Sequence, residues 1–585
     1  MSAKQGDANM FDKRTFFLGL YCASILIGAG VLALAFPAAR LGFVPVMVTI
    51  VIGGLYMIYI YRRMAGSLYA YIREAVQNKT RPLSSSHRDS ETLLSLDEQS
   101  LMVHEVQNRG SRLLAEQARS AIGTSGWVTL VLGMFLFVFF ADISYILIGG
   151  RSLVAIAGFL FALAPQSSLL LLPVGALISL MAWRLEYILR QPFLLRGALK
   201  KVSMMLGTWV MSIAILELLR VGMPELGLGA MGDWYSGLGS ILFVSAVLGS
   251  MFARVHQCNN ANNACNCNDQ HTANVLVVVF ELMLLVIAAT IVIWDATQRR
   301  MVIPFFALAP SALTLRAMGD WANLVGLVTF AFVGTGLFNL CSYPDIFENG
   351  KGQSNPRLSQ VVLVGTLVPM LAYLIWIGAT STVLSPNTLI HLDAAKEYST
   401  IGIAQVFAPV DPRAALLITV FGYSFALLAV TSACNGFTES LADQLAVVVR
   451  EIGCRKKAIV NPENTPMRLL ILGFALVVAL VVSGLDSINI SSILAVSGNA
   501  GGGLLILILP FFFPPLGRRK TTWSAVMIGV TTAFVLAALN LNATNLAAIH
   551  TLASGIIAAI KILISLSILG MAIWLIRSEP LSEVQ

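Results

Sequence analysis

The length of its apolar runs constrains this chain more than anything else. Residues 43 to 61, 273 to 294 and 467 to 484 each carry at most one charged side chain. At 1.5 Å per residue, a helix of about twenty such residues crosses a hydrocarbon layer about 30 Å thick. Of the 585 residues 57% are hydrophobic and only 12% are charged, against about 25% charged in soluble domains. A water-soluble globule could not bury so much apolar surface. The chain reads as an all-α integral membrane protein in which each span satisfies its own backbone hydrogen bonds.

Apolar blocks lie at about 15–39, 43–61, 126–148, 168–187, 202–219, 237–253, 273–294, 323–344, 358–384, 413–437, 467–484, 489–513, 521–539 and 553–576, which gives about 14 transmembrane spans. The polar N-terminus, residues 1–14, holds no cleavable-signal pattern, so the first block is expected to remain as an anchor. A cytoplasmic N-terminus puts 29 Lys and Arg on the cytoplasmic side and 8 outside, with Lys561 inside the last span. That asymmetry sets the orientation. Both the N-terminus and the tail, residues 577–585, are then cytoplasmic, and a plasma or inner membrane is the expected site. The net charge of +8 is an orientation signal, and no nucleic-acid partner is expected. The polar segment 62–125 is expected to be a cytoplasmic insertion, partly disordered. The external segment Ser385–Pro412 holds a helix-like patch, Asp393–Phe407, that reads as a lid over an outward vestibule or as a plain loop.

Motifs of known chemistry are missing: there is no HExxH, GxSxG, GxxxxGK[ST] or dinucleotide-type glycine pattern. No enzyme and no ATP-driven pump is expected. Cys258, Cys265 and Cys267 with His256 and His271 lack the paired C-x-x-C spacing of strong zinc sites. No metal or organic cofactor is expected.

Glycine placement is more informative. Gly28, Ala29 and Gly30 interrupt the first span, and Gly334, Thr335 and Gly336 interrupt the span at 323–344. In lipid, broken helices are tolerated only where they are buried in protein or line a watery cavity. The alternative is close helix packing through small residues. Two breaks in corresponding halves point to a carrier whose half-helix ends face a solute near the midplane. Exposed N–H groups there attract a carboxylate and freed carbonyls attract an ammonium or a cation, so a small amino acid fits both ends.

These residues resemble the amino acid/polyamine/organocation superfamily, in particular its amino acid/auxin and hydroxy/aromatic amino acid permease branches. The resemblance is carried by Gly28 to Leu34 with Pro37, Ala38 and Gly42, by Thr329 to Gly336, by Pro369 to Tyr373, by Phe437 to Asp443 and by Ser497 to Gly503 with Leu509 and Pro510. It implies a five-plus-five inverted-repeat core with broken first and sixth core helices. Under it, residues 15–61 are the first two core spans, 126–148 the third, 237–294 the fourth and fifth, and 323–513 the second repeat. Residues 168–219 form an inserted hairpin, and 521–576 add two C-terminal spans. Substrate would lie on Gly28, Ala29, Gly30, Gly334, Thr335 and Gly336, with Phe332 as a side-chain contact. One departure is that Ala35 and Phe36 intervene before Pro37, where the family proline follows its leucine directly.

Ionisable residues inside spans are expensive, so Asp142, Glu217, Glu281 and Lys561 are functional candidates. Glu281 is expected to be the proton-coupling group. Asp142 with Tyr145 is expected to border an outer vestibule or to satisfy helix neighbours, and Glu217 to be interfacial. Sodium coupling would instead use the hydroxyls of Thr431 and Ser432, as in sodium-coupled relatives, unless these bond the preceding turn. A carrier for a small amino acid, coupled to H+ or Na+, is the reading that results, with a transporter-like sensor as the alternative.

Overall fold

The structure, a computed structural model, describes residues 13–80, 116, 119, 124–163, 168–188, 196–222, 235–249, 267–299, 318–333, 356–395, 397–452, 465–483 and 490–502. All named elements are helical: α1 (Lys13–Leu26), α2 (Ala29–Ala33), α3 (Phe36–Leu41), α4 (Phe43–Thr80), α5 (Thr124–Leu163), α6 (Ser168–Ile188), α7 (Arg196–Gly222) and α8 (Tyr235–Gly249). There follow α9 (Cys267–Gln298), α10 (Met318–Phe332), α11 (Pro356–Val383), α12 (Pro386–Ala394), α13 (Ser399–Phe407), α14 (Pro412–Ile452), α15 (Thr465–Ser483), α16 (Ile490–Val496) and a π-helical turn, Ser497–Gly502.

Seven of the described helices, α4, α5, α7, α9, α11, α14 and α15, are long and apolar enough to cross a membrane. Their surfaces fit that setting. On α4 the residues Val48, Ile52, Leu55 and Tyr59 repeat at helical spacing and are all exposed, Ile52 to 62%. On α15 the same spacing exposes Leu470, Phe474, Val477 and Val481. Stripes like these on so many helices suit a lipid solvent, because water-soluble monomers rarely expose contiguous apolar patches of that extent. The opposite faces, such as Val46, Ile50 and Met57 of α4, are buried in one continuous core.

Several helices meet through glycine. A β-carbon at Gly175 of α6 would lie 2.8 Å from the Met211 nitrogen, and one at Gly207 of α7 would lie 2.8 Å from the Ser179 nitrogen. The hairpin α6–α7 is therefore closed by backbone contact, as small-residue interfaces in membranes allow. The π-helical turn uses the same device: β-carbons at Gly498 and Gly501 would collide with the backbones of Gly326 in α10 and Phe137 in α5.

Boundaries differ from the expectations above, among them that of α14, which continues beyond residue 437 to Ile452. Helix α4 continues beyond residue 61 to Thr80, into the polar segment assigned to the insertion. Helix α5 continues beyond residue 148 to Leu163, through Gly149 and Gly150. Ser152 supports that continuation by donating to the Ile148 carbonyl at 2.8 Å. The blocks at 521–539 and 553–576, Lys561, the segment 81–115 and the loop from Cys258 to Cys265 lie outside the described residues.

The segment after α11 is folded as a pair of short helices. Ser385 opens α12 by accepting from the Thr388 N–H at 3.2 Å, with Pro386 in the first turn, the usual residue types for a helix start. The expected patch at Asp393–Phe407 divides between the end of α12 and all of α13. Arg151 of α5 donates to the Ala395 carbonyl at 2.9 Å and so caps α12. Ser491 at the start of α16 donates to both Asp393 oxygens, at 2.8 and 2.9 Å. Tyr398 and Ser152 share a short hydroxyl contact. The pair is thus pinned over the end of the bundle where α3 finishes.

Candidate functional site

The first span is broken in the way its glycines predict. Helix α1 stops at Leu26, Ile27 and Gly28 are not helical, and α2 restarts at Ala29. A second interruption at Leu34–Ala35 leads into α3, in whose first turn Pro37 sits. The two residues inserted before the proline thus form a turn and a restarted helix. Gly42 then reverses the chain with a φ of 94°, a conformation that favours glycine.

A break frees backbone groups that a continuous helix would pair. The Leu26 carbonyl would normally accept from Gly30. Here it accepts from the Gly28 N–H at 2.9 Å and lies 2.6 Å from the Tyr373 hydroxyl of α11. The same hydroxyl lies 2.9 Å from the Ala331 carbonyl, in the last turn of α10. One tyrosine proton is shared between the ends of two helices. Tyr61 of α4 donates to the Phe332 carbonyl at 2.8 Å, so the last carbonyl of α10 is also satisfied. Buried carbonyls need such partners.

The two helix ends face each other. A β-carbon added at Gly30 would lie 3.1 Å from the Ala331 β-carbon and 3.7 Å from the Tyr373 hydroxyl, and one at Gly28 would lie 2.9 Å from the Tyr145 hydroxyl and 3.0 Å from the Ala433 β-carbon. The broken segment is therefore enclosed by α5, α10, α11 and α14. Tyr145 stacks on Phe437 with ring centres 5.6 Å apart, which fixes its hydroxyl beside Gly28. On the α3 side, Trp376 donates to Ser399 at 3.0 Å, and the Ser399 hydroxyl lies 3.4 Å from the Leu32 carbonyl of α2. Helix α13 is thereby tied to the broken span.

The expected site residues fall into different places. Gly28 lies in the break, which falls at Ile27–Gly28, whereas Ala29 and Gly30 already form the first turn of α2. Phe332 ends α10 with its ring buried and edge-on to Tyr373, centres 5.4 Å apart. Gly334, Thr335 and Gly336 lie outside the described residues, which end here at Val333, the first non-helical residue after α10. Glu281 is buried on α9, while the atoms nearest Gly28 and Gly30 come from other helices. The Thr431 hydroxyl donates to the Leu427 carbonyl of its own helix at 2.6 Å. Ser432 is buried beside Ala433.

Residue-level reading gave no role at the site to Tyr373, Tyr61 and Thr438. Asp142 of α5 is fully buried, and its Oδ2 accepts from Thr438 of α14 at 3.1 Å. Glu217 is buried on α7, five residues before its end.

Charged groups near the α3 end form a separate set. Arg40 pairs with Asp320 at 3.0 Å, joining α3 to the start of α10. Arg299 bridges Asp295 and Asp411, joining the end of α9 to the start of α14. Backbone N–H groups of Ala414 and Arg413, with Arg299, hold the Asp411 carboxyl below its ordinary range. Burial pushes the Glu397 carboxyl above its ordinary range, against the opposing pull of Arg151 and of a hydrogen bond from Gln405. Among the described residues no group of three or more His, Cys, Asp or Glu is placed to hold a metal ion. Compared with models of known protein families and with characterised proteins, the chain matches none.

Proposed function

We propose that this protein is a secondary active transporter that moves a small amino acid, or a related zwitterion, by alternating access. In this reading the chain has about 14 spans, a five-plus-five inverted-repeat core and cytoplasmic termini, in a plasma or inner membrane. Transport is coupled to a proton or sodium gradient, and the protein performs no covalent chemistry. The observation that carries the reading is the buried break at Ile27–Gly28, whose freed carbonyl shares the Tyr373 hydroxyl with the end of α10. A helix interrupted inside the membrane and tied to a second helix end by a single hydroxyl supplies backbone groups for a solute. A channel would instead need a continuous polar lining or charge rings.

The test is counterflow. Purified protein in liposomes preloaded with unlabelled L-amino acids should take up the matching radiolabelled L-amino acid without an imposed gradient. Binding of a labelled amino acid with no flux would convert the reading to a sensor. Neither binding nor flux for any of the twenty would remove the amino-acid assignment.

A further inference from the structure

The carboxyl of Asp142 is buried between α5 and α14. It lies one helical turn from Tyr145, whose hydroxyl borders Gly28. Its partner helix, α14, touches the same glycine through Ala433, the neighbour of Cys434. Asp142 is 0% exposed; Oδ2 accepts from Thr438, while Oδ1 is buried without a hydrogen-bond partner among the described residues. The Thr438 hydroxyl is also 2.7 Å from the Cys434 carbonyl, so its one proton is already divided.

Among the described residues no counter-charge lies beside Asp142. The titratable groups facing Asp142 are the Cys434 thiol from α14 and Tyr145 on its own helix, with Tyr373 of α11 beyond Tyr145. On α15, Arg468 is spent on Glu439 of α14 at 3.0 Å. On α7, Glu217 and Arg220 lie toward the far end of α5, where the Arg220 guanidinium approaches Gly158. Position 158 is sixteen residues, about 24 Å, along the helix from Asp142. Tyr235 of α8 sits with Glu217, not with Asp142.

A carboxyl on a core span without a cation beside it is costly when ionised. Sodium would need several hard oxygens around it, whereas here the carboxyl is met by one hydroxyl and a thiol. A proton needs a single oxygen, and Oδ1 is that oxygen. We propose that Asp142 is the coupling residue: its carboxyl holds one proton in the solute-free protein, carries it as solute closes the break, releases it to water on the receiving side and is reprotonated before the next cycle. The balance is one carboxylate and one proton forming one carboxylic acid, reversed once per cycle. The coupling is mechanical: the carboxyl spans α5 and α14, the two helices that border Gly28, so its charge state sets how Thr438 is held there. This rests on the carrier reading and replaces Glu281 as the coupling group.

The experiment uses full-length protein in sodium-free liposomes with a mixture of radiolabelled L-amino acids. An imposed gradient of about one pH unit supports about tenfold accumulation at one proton per solute. Wild type and Glu281→Gln should both reach it. Asp142→Asn should accumulate to no more than its own counterflow level, with a flat pH profile. Should Asp142→Asn fail to fold, Thr438→Val serves in its place: it keeps the carboxyl and should shift the pH of half-maximal accumulation. Infrared spectra of substrate-free wild type should also contain a protonated-carboxyl band that Asp142→Asn lacks. Accumulation by Asp142→Asn equal to wild type, loss of accumulation in Glu281→Gln alone, or an unmoved pH midpoint in Thr438→Val would each overturn the proposal. Loss of counterflow together with accumulation in Asp142→Asn would also overturn it, making Asp142 a ligand for the solute amine. Absence of counterflow in wild type would count against the carrier reading, and the infrared band would still decide where the proton sits.

Discussion

Both the first span and α5 carry closely spaced glycines in an apolar setting, yet one is broken and the other is not. In α5 the pair Gly149–Gly150 leaves the helix continuous from Thr124 to Leu163. What the glycines permit there is contact with α8: a β-carbon at Gly149 would strike the Phe243 ring at 2.3 Å, and one at Gly150 would lie 2.5 Å from the Ser240 nitrogen. In the first span, Gly28 and Gly30 have clearances of 2.9 to 3.7 Å from the tyrosine hydroxyls and alanine β-carbons around them. The freed carbonyl there has a hydroxyl waiting for it. Glycine makes a break cheap, but the break persists only where another helix supplies the missing donor, as Tyr373 does.

Four measurements break or sharpen that contrast. The largest effect is expected for Gly30→Leu, which fills the contact between Gly30 and Ala331. Counterflow should fall to background while the protein remains monodisperse and folded. If the variant unfolds instead, Gly30 is a packing glycine and the distinction collapses. Next is Gly150→Leu, where backbone rather than a flexible side chain must move. Overpacking costs about 1–3 kcal/mol, so the thermal midpoint should drop and any residual folded protein should still exchange solute. Third, Tyr373→Phe leaves the Leu26 and Ala331 carbonyls to compete for other donors, a loss of about 1–3 kcal/mol for a buried unsatisfied group. Exchange rates should change more than in Thr431→Val, whose hydroxyl, among the described residues, bonds its own helix.

The smallest effect concerns the α12–α13 pair. The raised range of Glu397 means that docking is favoured in acid and weakens as pH rises through that range. Hydrogen exchange across residues 386–407 should accordingly be slower in mild acid than at neutral pH. Glu397→Gln should flatten this dependence, and an unchanged profile would assign it to another group.

Much of the fold was legible because the solvent is lipid: apolar runs long enough to span it mark α9, α11 and α15 closely, and the start of α4. Helix α5 past residue 148 was not, since the expected span ends there, just before Gly149, Gly150 and Arg151. What carries the helix onward is partly local, the Ser152 back-bond, and partly distant, the anchoring of Arg151 on Ala395. The same division applies to the site. Gly28 and Gly30 announce a break by residue type. Tyr373 is 347 positions from Leu26, and Thr438 is 296 positions from Asp142. Such pairings depend on how the helices stack, which no local pattern encodes. Asp142 was readable only on its own helix, as a vestibule border or a group satisfied by helix neighbours, and its partner Thr438 lies on α14.

Helices α5 and α14, of 40 and 41 residues, are each about 60 Å long, twice the thickness of the hydrocarbon they cross. Their lengths make them levers with a fulcrum near Gly28, which both of them touch through Tyr145 and Ala433. A tilt of about 10° at that point swings a tip about 30 Å away through about 5 Å. A rearrangement too small to see at the solute would therefore be displayed outside the bilayer as a displacement that paired spin labels on the two tips can record.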